Sequence, residues 1–361
     1  PGGTFARGKA ADVDRAVAAA RAAFESGVWR RREPAEKKRI MLRWAELMRE
    51  HREELALLET IDVGKPVMAS LNVDVALAAN CIQYYAELCD KLYDEIAPTG
   101  PNDRALVRKV PLGVVGAITP WNYPLIIDSW KLGPAIAAGN SVVLKPAEQS
   151  SLSAIRMAEL AHEAGLPAGV LNVVTGHGEE AGRTLARHMD VDMIAFTGST
   201  EVGKLIMGYA AETNLKRVAL ELGGKSPLVV FADADLDAAA SAAAWGCFYN
   251  SGETCHASTR LLAERPILEA LIEKIEAVAA REITLAHPFE PAAQIGALIE
   301  DAHLDKVLGM IAAGEREGSR RAFGAKRVMA ETGGFYMSPG VFVVRSNADM
   351  LARQEIFGPV L

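Results

Sequence analysis

Cysteine is scarce, with four in 361 residues at positions 81, 89, 247 and 255. So few in a chain this long are not a disulfide framework, and no two form a C-x-x-C pair, which argues against a zinc site. No apolar run reaches the length of a membrane span. The polar, Gly-rich opening at residues 1–9 has no secretory pattern. Positive charge is also in deficit: 39 Lys and Arg stand against 46 Asp and Glu, a net charge of −7. A nucleic-acid binder usually shows a basic excess. What remains is ordinary for a globular protein, with half the residues hydrophobic and 24% charged. The length suits two domains or one large one. The expectation is a cytoplasmic, soluble enzyme or binding protein with no metal, no nucleic-acid partner and no membrane. The sequence does not begin with Met and ends in the apolar stretch 357–361, so a fragment or processed chain is expected.

The first quarter reads as helical. Ile40, Met41, Trp44, Leu47 and Met48 recur at helical spacing. Asp12 suits the N-cap of an Ala-rich helix, and 68–92 reads as another helix. Residues 105–110 look like a strand and 111–113 like a turn. From Val114 strands (114–118, 141–144, 170–174, 192–196) alternate with helices (125–138, 151–164, 178–187, 200–211). That rhythm predicts a parallel sheet covered by helices, with sites at the carboxyl ends of its strands. After Gly223-Gly224 a strand at 228–231 and helices at 235–249 and 267–278 suggest a second α/β domain.

Several residues suit chemistry, each beside a plainer reading. Cys255, in Asn250-Ser251-Gly252-Glu253-Thr254-Cys255-His256, lies in a polar break where backbone N–H groups can lower a thiol pKa. An incidental free cysteine is the plainer reading. Cys81, Cys89 and Cys247 sit in helical periodicity and read as core. Glu221, at a strand end, suits a general base, or is simply solvated. Asn122, between Pro120 and Pro124, can donate to an oxyanion, or merely favours a turn. Residues 196–203, Phe-Thr-Gly-Ser-Thr-Glu-Val-Gly, open a helix whose N–H groups suit a phosphate, with Ser199 as N-cap, but lack G-x-G-x-x-G. Lys145 and Glu148 can hold a ribose, Glu148 repelling a 2′-phosphate, or form a surface ion pair.

In this order the segments resemble the aldehyde dehydrogenase superfamily: PWNYP at 120, WKLGPAIAAGNSVVLKPAE from 130, FTGSTEVG from 196, ELGGKSP from 221, the Cys255 segment and EIFGP from 355. The resemblance runs essentially end to end. DVDRAVAAARAAFESGVW, ALLETIDVGKP, LYDEIAPTG and HMDVDMIAFTGST look closest to bacterial enzymes oxidising aminoaldehydes such as γ-glutamyl-γ-aminobutyraldehyde in polyamine breakdown. Broad-specificity and betaine-aldehyde relatives share much of that text.

The resemblance implies an α/β fold with a variant Rossmann NAD-binding domain (1–92 and 112–223), an oligomerisation arm (93–111) and a catalytic domain (224–361). It implies oxidation of a small aldehyde to a carboxylic acid with NAD rather than NADP, in a homodimer or homotetramer when full-length. Cys255 matches the nucleophile that forms a thiohemiacetal and then a thioester. Asn122, with the Cys255 N–H, matches the oxyanion hole. Glu221 matches the base that activates water, and Lys131 a lysine supporting proton movement. Ile118, Trp121, Lys145, Glu148, Gly178, Phe196, Gly198, Ser199, Val202, Leu222, Glu355 and Phe357 match cofactor contacts. Tyr123, Asp128 and Trp130 lie near where the family's substrate tunnel begins, where Asp128 can attract an ammonium group and Trp130 stack on it, or Asp128 is simply a helix-surface residue pointing elsewhere.

Two departures stand out. Glu253 replaces the family's usual Gln, and a carboxylate there raises a nearby thiol's pKa by repulsion. Relatives also continue well past EIFGP, so an uncovered sheet edge is expected here. Transfer of the acyl group to CoA is a competing reading that Glu221 disfavours. A catalytically silent structural or binding protein on this fold is another.

Overall fold

The computed structural model describes residues 6–361. The first part of the opening segment, residues 1–5, lies outside the described residues. The chain divides into two compact units, one of residues up to 58 with 71–221, the other of 59–70 with 222–361.

The first unit is built on a parallel sheet of β3 (Val114–Ile118), β4 (Ser141–Lys145), β5 (Leu171–Val173), β6 (Met193–Thr197) and β7 (Arg217–Glu221), in the order β5-β4-β3-β6-β7. Val115 of β3 lies opposite Val142 of β4 and Met193 of β6, so β3 is central. Every residue of β3 and β4 is buried, as near-continuous Val/Ile/Leu runs require. The chain leaves β3 toward β4 and β5, then returns to its other side for β6 and β7. That reversal opens a crevice at the carboxyl ends of β3 and β6.

Helices cover the sheet. Ala10–Ser26 ends at Gly27 in the left-handed region (φ 78°), whose N–H bonds Phe24 O. Pro124 opens Pro124–Ala137 at a position where its missing N–H costs nothing. Trp44, on Pro34–Glu50, is 1% exposed and donates from Nε1 to Met157 O at 3.0 Å. Before the sheet, β1 (Glu95–Ala97) and β2 (Ala105–Val107) form an antiparallel ladder whose apolar side chains Ile96, Leu106 and Val107 are exposed.

Four local expectations change. Asp12 is not the N-cap. Lys9 occupies that place, and Asp12 Oδ2 accepts from the Lys9 N–H at 2.8 Å. A π-helical turn at Ser70–Asp74 interrupts the helical stretch before Val75–Leu88. Another, Gly178–Gly182, precedes a short α-helical turn. The strand expected at 105–110 stops at Val107, because its partner β1 is three residues long.

In the second unit β8 (Pro227–Val230) pairs in parallel with β9 (Arg260–Ala263), with helices Leu236–Phe248 and Leu268–Glu282. β10 (Arg320–Gly324) pairs with β13 (Gly340–Val343), and β11 (Arg327–Val328) with β12 (Tyr336–Met337), all antiparallel. Val360 bridges Gly340 in parallel, and Leu361 exchanges two backbone hydrogen bonds with β13. An apolar cleft of about 210 Å³ is lined by residues of β9 and β13 with Ile272, Ile356 and Leu361. Residues 59–70 belong here because Gly64 packs against Gly296 and Ala297. The domain reading from sequence had placed them in the first domain, and the arm at 93–111 falls within the first unit.

Trp44→Ala is expected to destabilise the first unit by roughly 3–5 kcal/mol, the cost of emptying a large core site. Urea unfolding followed by circular dichroism measures it, and an unchanged midpoint contradicts this packing.

Candidate active site

In the first unit the chemistry gathers at the carboxyl ends of strands. Lys145 closes β4 and is 3% exposed, with Nζ 2.9 Å from Glu148 Oε2. His177 Nδ1 lies 3.8 Å from the other carboxylate oxygen. Partial burial pushes the Glu148 carboxyl up, but the charge and hydrogen bond of Lys145 outweigh it, and the net shift is downward. Glu148 therefore stays ionised at neutral pH. A buried ammonium beside an exposed carboxylate suits the donor-acceptor pattern of a vicinal diol and opposes an added phosphate.

β6 ends at Thr197, and the Gly198 N–H donates to Glu221 O at 3.1 Å, tying that turn to the end of β7. Ser199 caps Thr200–Ala211 as expected, its Oγ accepting from the Val202 N–H at 3.2 Å. The first-turn N–H groups thus lie at a strand's carboxyl end, a placement that attracts phosphate. Phe196 and Ile118 are buried beneath, Trp121 is half-buried, and Gly178 and Val202 are exposed.

Past β3, Asn122 is 2% and Tyr123 8% exposed, while Trp130 stands 53% exposed. Asp128 is wholly buried, and neither carboxylate oxygen makes a hydrogen bond. Burial lifts its pKa to about 7, against Thr119 and Lys131. Near neutral pH it is therefore substantially protonated, unlike the exposed charge that the sequence suggested for an ammonium group. Burial also brings Lys131 down to about 8, while Glu221 and Asp128 oppose the shift. Lys131 therefore loses its charge within a unit or so of physiological pH, which suits a group that hands protons on. Glu221 is exposed at the end of β7. Thr119 was missed by the sequence reading, and its place directly after β3 was the available signal.

In the second unit Cys255 follows an unusual backbone. Asn250 (φ 52°), Ser251 (φ 55°) and Gly252 (φ 73°) are consecutive left-handed residues, two of them not glycine. Such conformations cost about 1–2 kcal/mol per non-Gly residue and persist only where surroundings impose them. Here Ser251 Oγ donates to Gly296 O at 3.1 Å and Asn250 Nδ2 to Glu253 O at 3.3 Å. Gly252 faces Gly358 so closely that an added Cβ would lie 2.1 Å from Gly358 O. The run ends the Leu236–Phe248 helix sharply and delivers Cys255 half-exposed.

Burial pushes the Cys247 thiol up to about 12 and raises those of Cys81 and Cys89. Glu253 is 1% exposed, its Oε1 accepting from the Ile299 N–H at 3.0 Å. Burial drives its carboxyl well above the usual range, against that N–H and Lys65. A carboxyl held toward its neutral form repels a thiolate less than the sequence suggested. Glu355 is half-buried, its Oε1 accepting from the Gly224 N–H at 3.2 Å, while a Cβ on Gly223 would meet Oε2 at 1.9 Å. Leu222 is half-buried just before this contact, and Phe357 is itself left-handed (φ 61°). His303 and Lys65 had no signal in the sequence reading.

Gly252→Ala is expected to destabilise the second unit by roughly 2–4 kcal/mol, combining strain with a backbone clash. Urea unfolding measures it, and a wild-type midpoint contradicts the described contact.

Residues 1–361 match the model of the aldehyde dehydrogenase family. The chain is 51% identical over 359 residues to the NADP/NAD-dependent aldehyde dehydrogenase PuuC of Escherichia coli strain K12, covering 99% of this chain and 71% of that protein. It is 49% identical over 353 residues to aminoacetaldehyde dehydrogenase of Pseudomonas aeruginosa, covering 98% and 70%. The crystal structure of gamma-glutamyl-gamma-aminobutyraldehyde dehydrogenase from Burkholderia cenocepacia J2315 superposes with a TM-score of 0.97 at 54% identity, covering 99% of this chain and 72% of that one. The two α/β units have the aldehyde dehydrogenase fold, and the chain belongs to the aldehyde dehydrogenase family.

Proposed function

We propose that this protein oxidises an aldehyde to a carboxylic acid with NAD, and that its substrate is an aminoaldehyde. The observation that carries the reading is the half-exposed Cys255 at the end of a backbone run held left-handed by specific contacts. Strain kept at a nucleophile's shoulder is a feature of sites where placement matters more than local stability. Similarity to PuuC and to two enzymes named for aminoaldehydes supports the substrate class.

In this reading the Cys255 thiolate adds to the aldehyde carbon and forms a C–S bond. The oxygen that gains charge accepts from the Asn122 amide and the Cys255 N–H. When bound, NAD would supply the acceptor for two electrons and the aldehyde hydrogen. Glu221 draws a proton from water, which attacks the resulting thioester, releasing the acid and regenerating the thiol. Lys131, with its lowered pKa, moves that proton onward.

Lys145 and Glu148 would hold the adenosine ribose, the helix N-terminus at Ser199 the pyrophosphate, and Glu355 and Phe357 the nicotinamide end. The structural features fit such a group: a charged pair at a strand's carboxyl end and a capped helix start. The ionised Glu148 favours NAD, and the name of PuuC, which includes NADP, leaves that cofactor as a second one. The exposed apolar ladder of β1 and β2 serves association with further copies. Among the described residues no helix is long and apolar enough to cross a membrane. A cytoplasmic location is part of the same proposal.

The test is NADH formation on propanal and 3-aminopropanal, beside Cys255→Ala. Turnover is expected for the wild type, with higher kcat/KM on the aminoaldehyde, and a loss of at least about 10³-fold in the variant. Equal efficiency on both substrates contradicts the aminoaldehyde reading. Turnover surviving in Cys255→Ala contradicts the mechanism. Acyl-CoA formation on adding CoA favours the acylating alternative.

A further inference from the structure

Behind the Cys255 loop lies a group of buried polar side chains that the proposed chemistry does not use. His303 sits in the first turn of helix Asp301–Glu317 and is 8% exposed. Its Nε2 is 2.7 Å from Phe357 O. A carbonyl oxygen only accepts, so Nε2 carries the hydrogen and the ring is in a defined tautomer. The same Nε2 lies 3.7 Å from Glu253 Oε1. One nitrogen therefore faces two loops, the one holding Cys255 two residues past Glu253 and the one holding Glu355 and Phe357. One turn along the helix, Val307 lies against Gly358, where an added Cβ would come within 3.0 Å. The Phe357 ring meets the imidazole edge-on, with centroids 6.1 Å apart.

The charged surroundings are specific. Glu253 faces His303 from the Cys255 loop, with Lys65 and Glu300 bearing on Glu253. Lys65 is itself buried beside Glu59, with Nζ 3.3 Å from Oε1. Lys306, on the same helix, bears on His303 and on Glu355. Burial lowers the imidazole pKa, with Lys306 in the same direction and the Phe357 carbonyl against it, so the ring is neutral at physiological pH.

Phe357 is where this arrangement has consequence. A left-handed aromatic residue is strained, and a carbonyl fixed by a buried donor is one of the few devices that hold it there. If Phe357 relaxes, the backbone that sets Glu355 on Gly224 shifts with it. Gly252, pressed on Gly358, transmits the same shift to the Cys255 loop.

We propose that His303 is a positioning residue, whose Nε2–H holds Phe357 left-handed and thereby sets the Glu355–Phe357 loop against the loop that presents Cys255. The cofactor half of this inference rests on the reading of Glu355 and Phe357 given above. The clamp itself rests on the contacts alone.

The test compares wild type, His303→Phe and His303→Gln as full chains. Phe keeps a buried ring without the donor, and Gln restores a donor at nearly the Nε2 position. Hydrogen exchange by mass spectrometry reads peptides spanning 250–256 and 355–361, and fluorescence titration reads NADH affinity. His303→Phe is expected to speed exchange in both peptides about tenfold and weaken NADH binding about fivefold, the range of one buried hydrogen bond. KM for NAD rises while kcat at saturation changes less, and His303→Gln returns all values to within about twofold. Wild-type exchange and affinity in a folded His303→Phe overturn the proposal. If the Phe variant does not fold, the Gln variant decides: wild-type exchange at 355–361 supports the clamp, and accelerated exchange contradicts it. Failure of the wild type to bind NADH counts against the cofactor reading, while the exchange comparison still judges His303.

Discussion

The second unit depends on the left-handed run at 250–252. Three successive positive φ angles, two of them on side-chain-bearing residues, are unfavourable in isolation. They are held by Ser251 on Gly296, Asn250 on Glu253 and Gly252 on Gly358. Each contact recruits a different stretch of chain. Gly296 abuts Gly64, which explains why residues 59–70 belong to this unit. Gly358 follows Phe357, itself left-handed and bonded by His303. The position of Cys255 is thus tied to segments nearly 300 residues apart in sequence.

The first unit solves a different problem, placing charge where water is partly excluded. Its sheet topology supplies the location, since the reversal beside β3 leaves a crevice at the carboxyl ends of β3 and β6. The charges there are tuned by burial and by each other. Lys145 keeps Glu148 ionised, whereas desolvation moves Asp128 to about 7 and Lys131 to about 8. An ion pair fixed in one protonation state suits recognition. Two groups poised near neutrality suit the movement of protons.

Much of this was legible in the sequence, and the part that was not has a common cause. The strands β3 and β4 announce themselves as short apolar runs, because a doubly covered parallel strand must be apolar throughout, whereas β7 alternates exposed and half-buried residues. Ser199 was legible as a cap because capping is local. Asp12 was misread by three residues, since a carboxylate serves a helix start equally well from its third position. The π-helical turns at 70–74 and 178–182 keep helical composition and so leave no mark in periodicity. Glu253 was noticed as a departure, but its neutral tendency comes from burial, which the Ile299 N–H and Lys65 oppose from positions distant in sequence. His303 was invisible for the same reason.

The central claim is that Cys255 forms a covalent acyl intermediate that Glu221 helps to hydrolyse. The most direct measurement is intact and peptide mass spectrometry of Glu221→Gln after mixing with NAD and 3-aminopropanal. The account predicts a single acyl adduct on the peptide containing Cys255, formed with about one equivalent of NADH and persisting for many wild-type turnovers. NADH release with no adduct, or an adduct on another residue, would contradict it.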